Sequence, residues 1–352
     1  MSGESSGPGK GLLERLLEGP VICAEGYLFE LEQRGYVSAG AYVPEVVLEH
    51  PGAIEQLHRE FLRAGSDVIE AFTYYGHREK LRLVGKEDVL EDLNRHAVRI
   101  ARKVADEGDA LVAGNVCNTN VFLEDSQKTK DDARAMFEEQ VGWAVEEGVD
   151  CIIAETFSWA EEAEIALEVI KRTGLPSVIT MAIHREPETY EGLAPEDCCK
   201  RLEDAGADVV GLNCMRGPGT MLPLLRKIRR AVKCHVAALP VPFRTSEAEP
   251  TFHHLHDANC GCLPEDGTFP TALDPFTCNR YEIAEFAKEA ADIGVHYLGV
   301  CCGAKPHHIR SMAEALDRRP PASKYSPDMS KHAYFGDANL IGAEYRELST
   351  RL

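Results

Sequence analysis

The sequence predicts an α/β fold, a TIM (β/α)8 barrel with a long loop insertion after the seventh strand. Three observations predict it. Eight short apolar runs alternate with helical stretches, and no ninth run follows. Several runs are preceded by one kind of turn: Ala64-Gly65-Ser66-Asp67, Glu147-Gly148-Val149-Asp150, Ala205-Gly206-Ala207-Asp208 and Ile293-Gly294-Val295-His296. Each is a helix-ending glycine that feeds a strand. No Gly-x-Gly-x-x-Gly follows the first run, which argues against a doubly wound nucleotide-binding sheet.

The elements follow in order. A short amphipathic helix over about residues 11–18 precedes Pro20, and Val21-Ile22-Cys23-Ala24 is the first strand, ending at Glu25-Gly26. Ile54, Leu57 and Phe61 fall at helical spacing within a helix over about 51–64. Residues 68–74 read as the second strand, 86–107 as a long helix and 110–116 as the third strand. A helix over 131–147 leads to the fourth strand, Cys151 to Phe157, and a helix over 160–172 ends at Gly174 with Pro176 beyond. The fifth, sixth and seventh strands read as 177–183, 209–214 and 235–241, separated by helices over 195–205 and 218–232. The insertion spans Pro242 to Thr277. A helix over 280–293, the eighth strand at Tyr297 to Cys302 and a helix over 306–316 complete the pattern. The expected division is a disordered Ser/Gly-rich tail at 1–10, a barrel at 11–317 and a C-terminal extension at 318–352.

Composition narrows the function. The 352 residues carry a formal charge of −20 and no basic run, so a nucleic-acid groove is not expected. No apolar stretch reaches the roughly 20 residues that span a bilayer, and the N-terminus lacks the apolar core of a signal peptide. The expectation is a cytoplasmic protein without a membrane partner. In that setting the 12 cysteines are expected as buried free thiols and metal ligands rather than disulfides.

In a TIM barrel the loops after the strands form the active site. The polar residues where the apolar runs stop are Glu25, Thr73, Tyr75, Asn115, Asn118, Glu155, Thr156, Cys214, Cys301 and Cys302. A lone strand-end cysteine is most often a small buried hydrophobe. Three of them at two strand ends, two adjacent, read instead as ligands of one zinc ion. Three thiolates leave one tetrahedral position open, as in a catalytic site. A substrate thiol placed there would be deprotonated, and the negatively charged site suits attack by sulfur on an electrophilic methyl group. Cys260-Gly261-Cys262, among His253, His254 and His256, offers a second metal site or a mobile loop over the mouth. Cys198 and Cys199 read as helix packing.

The segments Gly211-Leu212-Asn213-Cys214, Gly299-Val300-Cys301-Cys302-Gly303 and Pro306-His307-His308-Ile309-Arg310 resemble the zinc-dependent homocysteine S-methyltransferases, and within them the betaine-using enzymes. So do Glu49-His50-Pro51, the stretch from Leu57 to Ser66, and that from Val104 to Gly114. The resemblance runs from about Gly11 to Leu316. It implies a TIM barrel, zinc on Cys214, Cys301 and Cys302, and Glu155 on the amino group of homocysteine. It also implies that Tyr75 lies near the metal and the methyl donor. Three positions depart from it. The family's Asp-Gly after the first strand is replaced by Ala24-Glu25-Gly26, a tryptophan by Tyr42 and a tyrosine by Thr156.

The resulting expectation is a zinc-dependent methyltransferase that moves a methyl group from an onium donor to homocysteine, giving methionine. Glu155 and Tyr75 are its catalytic candidates. Glu25, Gly26, Tyr42, Thr73, Thr156 and Asn213 are its substrate-binding candidates. The partners are a small thiol acceptor and a betaine-like methylammonium or sulfonium donor, with homo-oligomerisation left open. The alternatives are the same chemistry on another thiol, or a zinc-bound barrel that binds ligand without turnover.

Overall fold

The computed structural model describes residues 9–264, 267–337 and 339–351. Of the tail expected at 1–10, the first eight residues lie outside that range. Helix α1 (Leu12–Glu18) leads into β1 (Val21–Ala24). Helices α2 (Tyr27–Gln33), α3 (Val46–Glu49) and α4 (Pro51–Ala64) precede β2 (Val68–Glu70), and α5 (Arg78–Val84) and α6 (Leu90–Ala105) precede β3 (Leu111–Cys117). The alternation then becomes regular: α7 (Gln127–Glu146), β4 (Cys151–Phe157), α8 (Ala160–Lys171), β5 (Ser177–Met181), α9 (Pro195–Asp204) and β6 (Val209–Asn213). It closes with α10 (Pro218–Ala231), β7 (His235–Leu239), α11 (Arg280–Ile293), β8 (Tyr297–Val300) and α12 (Pro306–Ala315). A short α13 (Ala343–Ser349) follows in the C-terminal segment.

The eight parallel strands form a closed barrel in chain order, β1 to β8. Closure rests on β1 against β8, paired at four positions from Val21↔Tyr297 to Ala24↔Val300. By contrast, β1 meets β2 at one, Cys23↔Val68. Two glycines permit the tight pairing beside the later functional residues. A Cβ at Gly211 would lie 2.0 Å from the Ala237 carbonyl oxygen, and one at Gly299 would lie 2.0 Å from that of Cys23. No other side chain fits either place.

The shared Gly-x-Asp turn has a specific role at the N-terminal end of the barrel. The Asp67 carboxylate accepts the Ile22 N–H at 2.8 Å and a bidentate pair from Arg318 at 2.6 Å. Asp150 accepts the Val112 N–H at 2.7 Å and Arg102 at 2.9 Å. Asp208 accepts the N–H and hydroxyl of Ser177 at 2.9 and 2.8 Å, with Lys171 at 3.4 Å. Each aspartate thus caps the start of a neighbouring strand and carries its own cation.

The structure corrects several boundaries. Strand β2 ends at Glu70 rather than Tyr74. The Thr73 N–H turns back to the Ala71 carbonyl, and Tyr75 has a φ of +57°, which an extended strand cannot hold. The helix read over 86–107 begins at Leu90, after the left-handed Gly85 and a 3-10 turn at Glu87–Val89. Helices α2, α3 and α5 were not anticipated, being seven residues or fewer and too short to show periodicity.

Residues 242–277 lie between β7 and α11, pinned at their base by an antiparallel bridge between Phe243 and Thr277. The Phe252 N–H donates to the Met215 carbonyl at 2.9 Å, which ties the segment to the barrel mouth. Cys260 and Cys262 pair as a disulfide, contrary to the expectation of free thiols or metal ligands. One intervening glycine brings their Cα atoms to 5.3 Å, within bridging reach. The other ten cysteines are free.

Candidate metal centre and acceptor pocket

Strand β6 stops at Asn213 because the next two residues leave extended geometry: Cys214 and Met215 have φ values of +55° and +53°. Strand β8 stops at Val300 and is followed by Cys301 and Cys302. These two strand ends bring three Sγ atoms within 4.8 Å of one another. Cys214 and Cys302 lie 3.9 Å apart, and Cys301 and Cys302 lie 4.0 Å apart. Four-coordinate zinc, with zinc–sulfur bonds of about 2.3 Å, sets its sulfurs roughly 3.8 Å apart, so the donor set fits such an ion. Contacts from the Cys301 and Cys302 thiols hold Cys214 down to about 5, while Cys214 pushes both of theirs well up.

Beside the thiols lies a narrow cavity. Glu25, Glu70, Glu155 and Asn115 line it together with the three cysteines, and no lysine, arginine or histidine does. Glu155, at the mouth end of β4, is well held. One oxygen accepts from the Asn115 amide at 2.7 Å, and the other accepts from the Asn213 amide at 2.7 Å and the Thr156 hydroxyl at 3.1 Å. The Asn213 Oδ1 in turn accepts the Thr156 N–H at 2.9 Å, holding Thr156 at a φ of +62°. The Asn115 amide also donates to Glu70.

Glu25 differs from the other two. It is buried, and both carboxylate oxygens lack a hydrogen-bond partner. The Asn213 amide, already given to Glu155 and Thr156, offers it only weak relief. Burial raises all three carboxyls. Glu155 is pushed up to about 8 by burial and then by Cys301. Glu25 and Glu70 are raised by burial and then by Glu155. Three carboxylates in one dry pocket beside three thiols make a strongly cation-seeking site.

Other sequence candidates fall outside this cavity. Gly26 is pressed against the residue after the β8 turn: a Cβ there would lie 2.3 Å from the Ala304 Cβ. The Thr73 hydroxyl donates to the Asn115 carbonyl at 2.7 Å, bracing the turn after β2 against β3. Tyr42 is buried against Phe29, ring centroids 6.1 Å apart, with its hydroxyl unpartnered. Burial and then Cys302 raise its phenol. Tyr75 lines a second, larger cavity that also contains Tyr74 and Thr156, both shared with the first. Sequence reasoning missed Glu70, although a charged residue inside the apolar run Val68-Ile69-Glu70-Ala71-Phe72 was a visible signal.

A family model described as homocysteine S-methyltransferase matches residues 22–316. The chain belongs to that family. Among curated members, betaine–homocysteine S-methyltransferase 1 of Danio rerio is 40% identical over 334 residues, covering 94% of this chain and 81% of the relative. The S-methylmethionine–homocysteine S-methyltransferase of Pongo abelii is 39% identical over 345 residues, covering 94% and 88%. Among solved structures, the homocysteine methyltransferase MmuM from Escherichia coli shares the fold. Its metallated form aligns with a TM-score of 0.66 at 18% identity, over 86% of this chain and 99% of that one. This homocysteine S-methyltransferase family member is therefore a methyltransferase on a TIM barrel. Among the described residues no helix is long and apolar enough to cross a membrane.

Proposed function

We propose that this enzyme transfers a methyl group from an onium donor to the thiol of homocysteine, giving methionine, with zinc held by Cys214, Cys301 and Cys302. The observation that carries the reading is the trio of thiols within 4.8 Å at the rim of a carboxylate-lined pocket. When bound, zinc on three thiolates supplies an open position where an acceptor thiol is held deprotonated and still nucleophilic. Glu155 receives the acceptor's ammonium, fixed in orientation by Asn115, Asn213 and Thr156. Glu25 faces the same group with its two free oxygens. Tyr75 presents an aromatic face toward the donor side. The contribution of these residues is alignment, since the donor methyl must sit in line between the acceptor sulfur and its leaving group.

The donor class is an onium compound. The relatives' names pair one quaternary ammonium, betaine, with one sulfonium, S-methylmethionine. In either case the sulfur–carbon bond forms as the methyl–onium bond breaks, and the leaving group departs as a neutral amine or sulfide. A second reading is favoured by Glu25. A buried carboxylate displaced by one position, Glu25 in place of the Asp of the family's Asp-Gly turn, suits an acceptor thiol whose ammonium lies at a different distance from its sulfur than in homocysteine.

The test is methyl transfer by the zinc-loaded protein from deuteromethyl-labelled donors, read by mass spectrometry on homocysteine and on aminothiols such as cysteamine. Labelled methionine supports the homocysteine assignment. Label on cysteamine alone moves the assignment to the second reading. Titratable ligand binding with no labelled product from any donor would leave a binding barrel and overturn both.

A further inference from the structure

The disulfide between Cys260 and Cys262 is built unlike a structural cross-link. Its ring holds one residue, Gly261, between the two cysteines. A bridge that short removes little freedom from the unfolded chain and joins no two elements of the fold. The base of the segment is fastened without it. The Phe252 ring packs against Phe29, Phe243 and Phe269 at centroid distances of 6.0, 5.9 and 5.0 Å. The buried Thr268 hydroxyl donates to the Leu255 carbonyl at 2.6 Å. The cysteine pair lies between Leu255 and Thr268, beyond those anchors.

The same pair is open to solvent. Cys262 is exposed and Cys260 half-buried, and a Cβ on Gly261 would meet nothing within 4 Å. Of the ten free cysteines, by contrast, eight are buried. The backbone at the pair is bent by bonds that do not involve sulfur. The Cys260 N–H donates to the Asp257 carbonyl at 3.1 Å, and the Asn259 N–H to Asp257 Oδ1 at 2.9 Å. Two thiols held on that bend stay within reach of each other, which favours reclosure. Charge adds a preference. Between Arg244 and Arg280 the sequence has six carboxylates and neither lysine nor arginine. Such a segment repels an anionic thiol and attracts a cationic aminothiol.

We infer that Cys260–Cys262 is a reversible thiol–disulfide exchange site, opened at the exposed Cys262 sulfur by small aminothiols that carry no net negative charge. Access decides which sulfur is attacked. In the first step the incoming thiolate forms a sulfur–sulfur bond to Cys262 as the Cys260–Cys262 bond breaks. Cys260 leaves as a thiolate and takes a proton from water. A second aminothiol then attacks the small-molecule sulfur of the mixed disulfide, and Cys262 is released as a thiol. Attack by Cys260 instead reverses the first step. The net reaction reduces the protein disulfide to two thiols and oxidises two aminothiols to one disulfide. No part of it passes through the metal centre, so it stands apart from the methyl-transfer reading.

The test follows the pair in the zinc-loaded protein by alkylation and peptide mass, with cysteamine and glutathione compared at equal thiolate concentration. Cysteamine is expected to open the pair at least about fivefold faster in low salt, the difference fading toward about 1 M potassium chloride. Two variants locate the attacked sulfur. With cystamine, the disulfide of cysteamine, Cys260→Ser should keep a lasting mixed disulfide on Cys262. Cys262→Ser should be modified on Cys260 at least about tenfold more slowly. Zinc content should be the same whether the pair is open or closed. The inference is overturned if cysteamine fails to open the pair without denaturant, or if glutathione is as fast in low salt. Equal reactivity of the two variants, or modification of Cys214, Cys301 or Cys302 ahead of Cys262, would overturn it as well.

Discussion

The two ends of the barrel use the same functional group in opposite ways. At the N-terminal end, Asp67, Asp150 and Asp208 each accept a strand N–H and hold an arginine or lysine. At the mouth, Glu25, Glu70 and Glu155 share one pocket with no basic side chain among its lining residues, and Glu25 has no more than weak relief from the Asn213 amide. The first set satisfies its own charges and fastens the strands. The second is left for a cation that the chain does not supply. A carboxylate's role in this fold is therefore read from its partners rather than from its burial.

Five measurements would sharpen or break that contrast. The largest effect is expected from Cys302→Ala, which removes one of the three thiols: bound zinc and turnover should both fall by at least about a hundredfold, with the far-ultraviolet circular dichroism of the barrel unchanged. Zinc content equal to the parent would sink the ligand assignment. Next, Asp67→Ala should cost roughly 2–3 kcal/mol of stability, since it removes a bidentate pair and orphans the Ile22 N–H. Zinc binding should survive. Loss of zinc without loss of stability would erase the distinction between the ends.

The wall behind the pocket gives a pH-dependent test. Tyr27 lines the first cavity, and its hydroxyl pairs with Nδ1 of the buried His58 at 3.1 Å. Burial pulls His58 down to about 3. The unfolded chain takes up this proton below about 6.5 and the folded chain does not until about 3. Stability is therefore lost as pH falls through that window, by about 2 kcal/mol at pH 5. In His58→Phe this contribution vanishes, so the stability gap between parent and variant should narrow by about 2 kcal/mol from pH 7 to pH 5. A gap independent of pH, measured by denaturant unfolding, would show that His58 is already charged or already exposed.

Glu155→Ala should weaken acceptor binding by more than about tenfold through loss of a charge-assisted contact, and an unaltered acceptor affinity would remove that role. The smallest effect is the most discriminating in sign. Glu25→Met keeps the approximate shape and removes a buried, unpartnered carboxyl, so the protein should gain roughly 1 kcal/mol while binding acceptor less well. A loss of stability would mean that Glu25 is already satisfied, as the aspartates are.

Much of the fold was legible because the signals were repeated. Eight apolar runs and the recurring Gly-x-Asp turn marked the strands, and the aspartates of those turns prove to be the strand clamps themselves. The thiol cluster was legible because strand ends at one face of a closed barrel must converge. The short helices α2, α3 and α5 were not, since seven residues or fewer give too little periodicity. Nor was the inward or outward facing of single residues near a strand end. Thr73 and Tyr75 follow a strand that stops earlier than its apolar run, and they point to different places. The second cavity was invisible for another reason. Phe122, Trp159, His184 and Tyr190 come from loops after three different strands, and only the closed barrel makes them neighbours.

The uneven pairing of the first strand has a consequence for how the molecule is made. Strand β1 has one paired position with β2 and four with β8, and β8 is synthesised about 270 residues later. At 5–20 residues per second, roughly 15–55 s pass before its main partner leaves the ribosome. Until β8 emerges, Val21, Ile22 and Cys23 lack the strand partner that the closed barrel gives them. Cellular yield of this protein should therefore depend on what shields its first strand during translation, more than on the stability of the finished barrel.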